Sequence, residues 1–180
     1  MSRRDRIDER YRENLALLPD YREYIFSQWS PAVKGLRFGE HGHVGREGCG
    51  AVAVHNVMKF IGREQNFCDV LHDFEELRMP WLGARFGTKP HSLGRYFRRH
   101  KIPYWKYSSP NDFKAALLTH RIGIVCTWNK KFKGMHVYCV RYSPEDGAYY
   151  TANLGGGSDF KEIAPGEISN LRFITGYVIE

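Results

Sequence analysis

The sequence predicts an α+β domain, and three observations carry that expectation. Apolar residues recur at helical spacing through the first half of the chain and alternate at strand spacing through the second, with the change near Ile102. Helices and strands are thus segregated along the chain rather than interleaved, the order expected of helices set against an antiparallel sheet. The 180 residues suffice for one core and are too few for two ordinary ones, and a content of 42% hydrophobic and 14% aromatic residues is enough to fold it.

Residues 4–18 and 20–28 read as two charged helices broken at Pro19, an N-terminal helical extension over residues 1–30. The globular unit is then residues 31–180. It opens on PAVKGLRFGEHGHVGREG (31–48), whose five glycines and lack of periodicity predict a loop. Residues 49–61 form the most apolar helix, with Val52, Val54, Val57, Met58 and Ile61 on a broad face and Gly62 as its stop. Asn66 or Phe67 starts a helix to about Arg78, and GTKPHSLGRYFRRH supplies another before the strand IPYWKY. NDFKAALLTH is a short helix behind Pro110. The strands GIVCTW (123–128), MHVYCVRYS (135–143) and AYYTANL (148–154) follow, the last two joined as a hairpin by PEDG, with LRFITGYVI (171–179) as the final strand.

Composition narrows the function. Lys and Arg number 27 against 20 Asp and Glu, a net charge of +7. A nucleic-acid binder would set its cations among exposed aromatics. The densest basic stretch, GRYFRRHK (94–101), instead reads as an amphipathic helix with Leu93, Tyr96 and Phe97 inward and Arg95, Arg98 and Arg99 outward. That argues against nucleic acid as the partner, and a salt-dependent RNA association is kept only as a weaker alternative. No apolar run approaches the ~20 residues of a membrane span. The charged N-terminus has no apolar core of a signal peptide, so a cytoplasmic placement is expected. Four cysteines without a C-x-x-C pair point to reduced thiols rather than to a disulfide framework or zinc ribbon. Cys68, Cys126 and Cys139 sit in apolar contexts and read as core.

Cys49 differs. It begins the apolar helix between two glycines, where a helix N-terminus lowers a thiol's pKa and first-turn N–H groups can face an oxyanion. From this local pattern alone it is equally a nucleophile or a small helix-start residue. A nucleophile needs a base, and there are eight histidines. His72, His91, His100 and His120 fall at helix ends or on charged faces, and His55 points away from the thiol on the same helix. His136 opens an apolar strand and can face a helix packed on the sheet. The next strand ends in Asn153, whose amide oxygen could accept from the imidazole and orient it. His41 and His43 with Cys49 suggest zinc, but the spacing matches no standard site and a metal would hold the thiolate. No metal or other cofactor is called for.

Cys-Gly at the start of a central helix, GTKPHSLGRYFRRHKIPYWKY, DFKAALLTHRIGIVCTW, MHVYCVRY and YYTANL together resemble the papain-like cysteine peptidases. Within them the resemblance is to the branch of bacteriocin-processing, double-glycine-cleaving peptidases, and it covers residues 38–154. It implies a papain-like fold, with a helical half carrying the nucleophile helix packed on an antiparallel sheet. It also implies a peptide or protein substrate, hydrolysed through Cys49 as nucleophile, His136 as general base and acid, and Asn153 as the orienting residue. The family commonly has a glutamine six residues before the cysteine as oxyanion donor. That position is His43, so His43 and the Cys49 backbone make up the oxyanion hole implied here. The chain also has CGA and ANL where the branch often has Cys-Gly-Pro and Asp-Pro. The alternative left open is a papain-like module that holds a peptide without turnover.

Overall fold

The structure is a computed structural model that describes residues 1–128, 134–154, 157–170 and 172–180. Helix α1 (Arg3–Leu17) starts at Ser2, whose hydroxyl and Asp5 form a reciprocal capping box. Its buried residues Ile7, Arg10 and Asn14 recur at one-turn spacing. Arg10 pairs with Glu75 of α4 (Phe67–Glu76), with both side chains buried.

The expected helix over 20–28 does not form. That stretch runs without regular structure as a strap across the helical half. Its main-chain groups are taken up by side chains. Asn66 Oδ1 accepts from Tyr21 N–H (3.2 Å) while its Nδ2 donates to Pro19 O (2.9 Å), and Asn56 makes both bonds to Ile25 at 2.8 Å. Helix propensity favours a charged stretch by only tenths of a kcal/mol per residue, roughly. Burying Ile25, which is 1% exposed, in the main core outweighs it.

The 31–48 stretch, expected to be a loop, holds a small hairpin, β1 (Arg37–Phe38) with β2 (Gly42–His43), and the single-turn helix α2 (Val44–Glu47). Helix α3 (Cys49–Phe60) follows, and Cys49 through Met58 are all buried. It ends as expected, with Gly62 at φ +70°. There Arg63 N–H donates to Met58 O (2.9 Å) and Gly62 N–H to Lys59 O (3.1 Å), a Schellman stop. After α4 come a 3₁₀ turn (Pro90–Ser92), α5 (Leu93–Arg99), β3 (Tyr104–Tyr107) and α6 (Pro110–His120), the last capped by Ser109.

Strands β4 (Ile122–Trp128), β5 (Met135–Ser143), β6 (Ala148–Ala152), β7 (Lys161–Ile163) and β8 (Arg172–Ile179) complete the sheet, with α7 (Pro165–Asn170) between the last two. The six-stranded sheet has the order β3-β8-β4-β5-β6-β7, and every pair is antiparallel. β8 therefore inserts between β3 and β4. Alternation divides the sheet into two faces. Ile124, Cys126, Val137 and Cys139 join the core of α3, while Val125, Tyr138 and Val140 pack with Phe113 and Leu117 of α6. Among the described residues, no helix is long and apolar enough to cross a membrane.

Candidate active site

Cys49 is the first residue of α3 and only 6% exposed. The glycines beside it serve close packing. A Cβ on Gly48 would lie 2.7 Å from Val44 O, and one on Gly50 would lie 2.6 Å from Thr88 Oγ1, so the segment after α4 presses directly on the helix start. Burial pushes the Cys49 thiol up to about 11. The main-chain N–H groups of Val137, Gly50 and Cys49 itself act in the opposite direction by donating toward the sulfur. Val137 is the neighbour of His136, so the thiol lies against the start of β5.

His136 is the second residue of β5. Its Nε2 donates to the main-chain carbonyl of Asn153 at 2.5 Å. A carbonyl can only accept, so the neutral ring carries its proton on Nε2 and leaves the lone pair on Nδ1. Burial lowers the imidazole pKa, opposed by the bond to Asn153. The ring is inclined by 23° to that of Tyr138, at 5.9 Å between centroids.

Asn153 thus meets the imidazole through its backbone, whereas the sequence suggested its side-chain amide. The residue follows β6 with φ +66°, a left-handed conformation that asparagine tolerates. Its N–H donates to Phe26 O (2.8 Å). Its amide is spent on Gln28: Oδ1 accepts from Gln28 N–H at 2.8 Å, and Nδ2 donates to Gln28 Oε1 at 3.1 Å. Gln28 Nε2 in turn donates to Gly45 O (2.8 Å) in α2, on the approach to Cys49. The sequence reading does not single out Gln28, because it lies at the end of a stretch read there as a charged helix.

His43 pairs with Arg37 in the β1–β2 hairpin and is exposed at the start of α2, its N–H capped by Glu47 Oε2 at 3.2 Å. No hydrogen bond among the described residues joins its ring to Cys49. Residues 129–133, ahead of β5, and Gly155 and Gly156 of LGGG lie outside the described residues.

A cleft of about 690 Å³ opens over Cys49. Its walls include Trp29, Trp81, Leu82, Phe86, Trp128 and Met135. Three of these are unusually exposed for large apolar groups, Trp29 at 61%, Leu82 at 62% and Phe86 at 58%, so the thiol sits at the base of an apolar, open site. Arg46, Glu47 and Arg85 add charge at its edge. Away from the cleft, donor atoms of His72, Asp73 and Glu76 lie within 4.8 Å of one another. The guanidinium of Arg99 already bridges Asp73 (3.2 Å) and Glu76 (2.6 Å), and His72 contacts Asp8, so this trio is an ion-pair network.

No protein-family model and no curated protein matches the sequence. Solved structures do match in fold. The chain superposes on the peptidase domain of Streptococcus ComA, a bifunctional ABC transporter of a quorum-sensing pathway, with a TM-score of 0.55 and 12% identity, over 74% of this chain and 90% of that one. It also superposes on a double-glycine-motif protease from an AMS/PCAT transporter, solved with its leader peptide. There the TM-score is 0.50 and the identity 14%, over 73% of this chain and 82% of that one. The chain has the papain-like peptidase fold of these domains.

Proposed function

We propose that the chain is a cysteine peptidase or amidase that uses Cys49 as nucleophile and His136 as general base and acid on a peptide or protein substrate. What supports this reading is a helix-start thiol that accepts from the N–H of Val137, the residue after His136, together with an imidazole whose Nε2 donates to the Asn153 carbonyl and so leaves the Nδ1 lone pair as the basic site. With the thiol held up and the imidazole held down by burial, the resting pair is neutral. His136 Nδ1 then takes the thiol proton as sulfur attacks the substrate carbonyl, and the imidazolium returns it to the leaving amine. Water, deprotonated by the same nitrogen, cleaves the thioester and restores the thiol.

Cys49 N–H at the start of α3 is the main-chain donor proposed for the oxyanion, with His43 as the second, side-chain donor once its ring turns inward. Asn153 is proposed as the orienting residue. The exposed tryptophans and Phe86 suit an apolar segment of substrate. The leader peptide and double-glycine motif of the structural neighbour suggest peptides with Gly-Gly after such a segment as the first test substrates.

The test is two-part. Iodoacetamide should modify Cys49 faster than Cys68, Cys126 and Cys139 at neutral pH, and Cys49→Ala should lower cleavage of such peptides by roughly a thousandfold or more. Equal, slow alkylation of all four thiols would sink the proposal. A second reading, peptide capture without turnover, is favoured by one observation, the burial that holds the Cys49 proton up to about 11. Wild-type binding without cleavage, retained in Cys49→Ala, would select it.

A further inference from the structure

We propose that Gln28 is a positioning residue of this site. It clasps the Asn153 side chain so that the Asn153 main-chain carbonyl orients His136, and it ties that strand end to the approach to Cys49. The catalytic meaning of this clasp rests on the peptidase reading, while its geometry does not.

Gln28 and Asn153 are 6% and 5% exposed, so each polar atom of either amide needs a partner. They partner one another. Asn153 Oδ1 and Nδ2 both engage Gln28, and it is the main-chain carbonyl that meets the imidazole. Held in this way, and with its N–H on Phe26 O, Asn153 keeps the left-handed φ of +66° that turns its carbonyl out of the β6 ladder and onto His136 Nε2. The remaining Gln28 donor, Nε2, reaches Gly45 O four residues before Cys49. One side chain, 125 residues from Asn153 in the chain, therefore spans the base's acceptor and the approach to the nucleophile. A neutral carbonyl fixes the ring and its tautomer without the full counter-charge of a carboxylate. Such a site works as thiol plus base rather than as a standing ion pair.

Two variants and their combination test this without any substrate, in the full chain. The readouts are the ¹⁵N shifts of the His136 ring and the pH profile of Cys49 alkylation by iodoacetamide. Asn153→Gly removes the amide but retains the carbonyl and tolerates the backbone conformation. Its neutral His136 should stay protonated on Nε2. Gln28→Met keeps the volume and loses the side-chain bonds. It should slow Cys49 alkylation roughly tenfold and move the His136 midpoint further below its ordinary value, because the bond to the Asn153 carbonyl is what opposes burial there. Because both break one clasp, the double variant should be slowed about tenfold rather than about a hundredfold.

Loss of the Nε2 proton in Asn153→Gly would overturn the carbonyl's part, and an unchanged profile in Gln28→Met or full additivity would overturn the clasp. If Gln28→Met fails to fold, Asn153→Gly decides, since it breaks the same clasp: Cys49 alkylation slowed about tenfold supports the clasp, and an unchanged pH profile overturns it. A wild type that cleaves no peptide would count against the peptidase reading and leave these readouts standing.

Discussion

Helix α3 and the strap of residues 18–30 lie against one another and are built on opposite principles. In α3 the main chain satisfies itself, and the helix asks its surroundings only for apolar volume, which the core supplies around Val52, Val54 and Val57. The strap has no internal ladder. Its N–H and C=O groups are met one at a time by Asn66, His55, Asn56 and Asn153, two of which stand on α3 itself. The support of Cys49 is thus tolerant and distributed. The support of the Asn153 carbonyl that holds His136 depends on individual buried amides, and losing one should be felt far more than losing a methylene from the helix.

The largest effect that would test this contrast is expected of Asn56→Ala, which leaves the buried N–H and C=O of Ile25 without partners. It should destabilise the chain by about 3–4 kcal/mol in denaturant unfolding. A loss below that of an α3 truncation such as Val52→Ala would break the comparison.

Next comes His55, which is 1% exposed, with Nε2 on Glu23 O at 2.8 Å and a buried Nδ1 that has no hydrogen-bond partner among the described residues. Burial, with Lys59 nearby, lowers its pKa from 6.5 to about 4. The folded state therefore prefers the neutral ring. Stability from this group is fully present above pH 6.5 and falls as the pH drops from there to about 4, because the unfolded chain takes up the proton first. The loss amounts to about 3 kcal/mol. Unfolding curves at neutral pH and between pH 4 and 5 should show a shallower slope in His55→Gln, and an unchanged slope would remove His55 from the account. His136, also lowered by burial, accounts for part of the slope that remains.

The smallest effect is expected at the strap's outer face. Arg22 pairs with Asp20 at 2.8 Å, but both side chains are more than half exposed. Such a pair adds little, so Arg22→Ala should unfold within error of wild type.

Legibility in the sequence follows the same division. The α3 boundaries, its glycine stop, the inward face of α5 and the β5–β6 hairpin could all be read from local pattern, because each is decided by periodicity and turn chemistry within a few residues. The nucleophile candidate and the strand bearing its histidine were legible for that reason. β7 and α7 were not, being too short to carry a period. Nor was the insertion of β8 between β3 and β4, which is settled by pairing across the whole sheet. At Asn153 the sequence located an acceptor at the end of the strand, but whether amide or carbonyl would face His136 hung on Gln28, a residue far away in the chain.

By itself the sequence determined an α+β chain with an apolar helix opening on Cys49 and an antiparallel hairpin opening at His136. The reason is that residue spacing commits a segment to a helix or a strand before any tertiary contact forms. Only the tertiary structure decided that residues 18–30 are a strap, that a carbonyl holds the imidazole, and that burial pushes the pKa of the thiol up and that of the ring down. Those outcomes depend on which buried polar groups find one another, and single amides meeting across the fold leave no periodic trace along the chain.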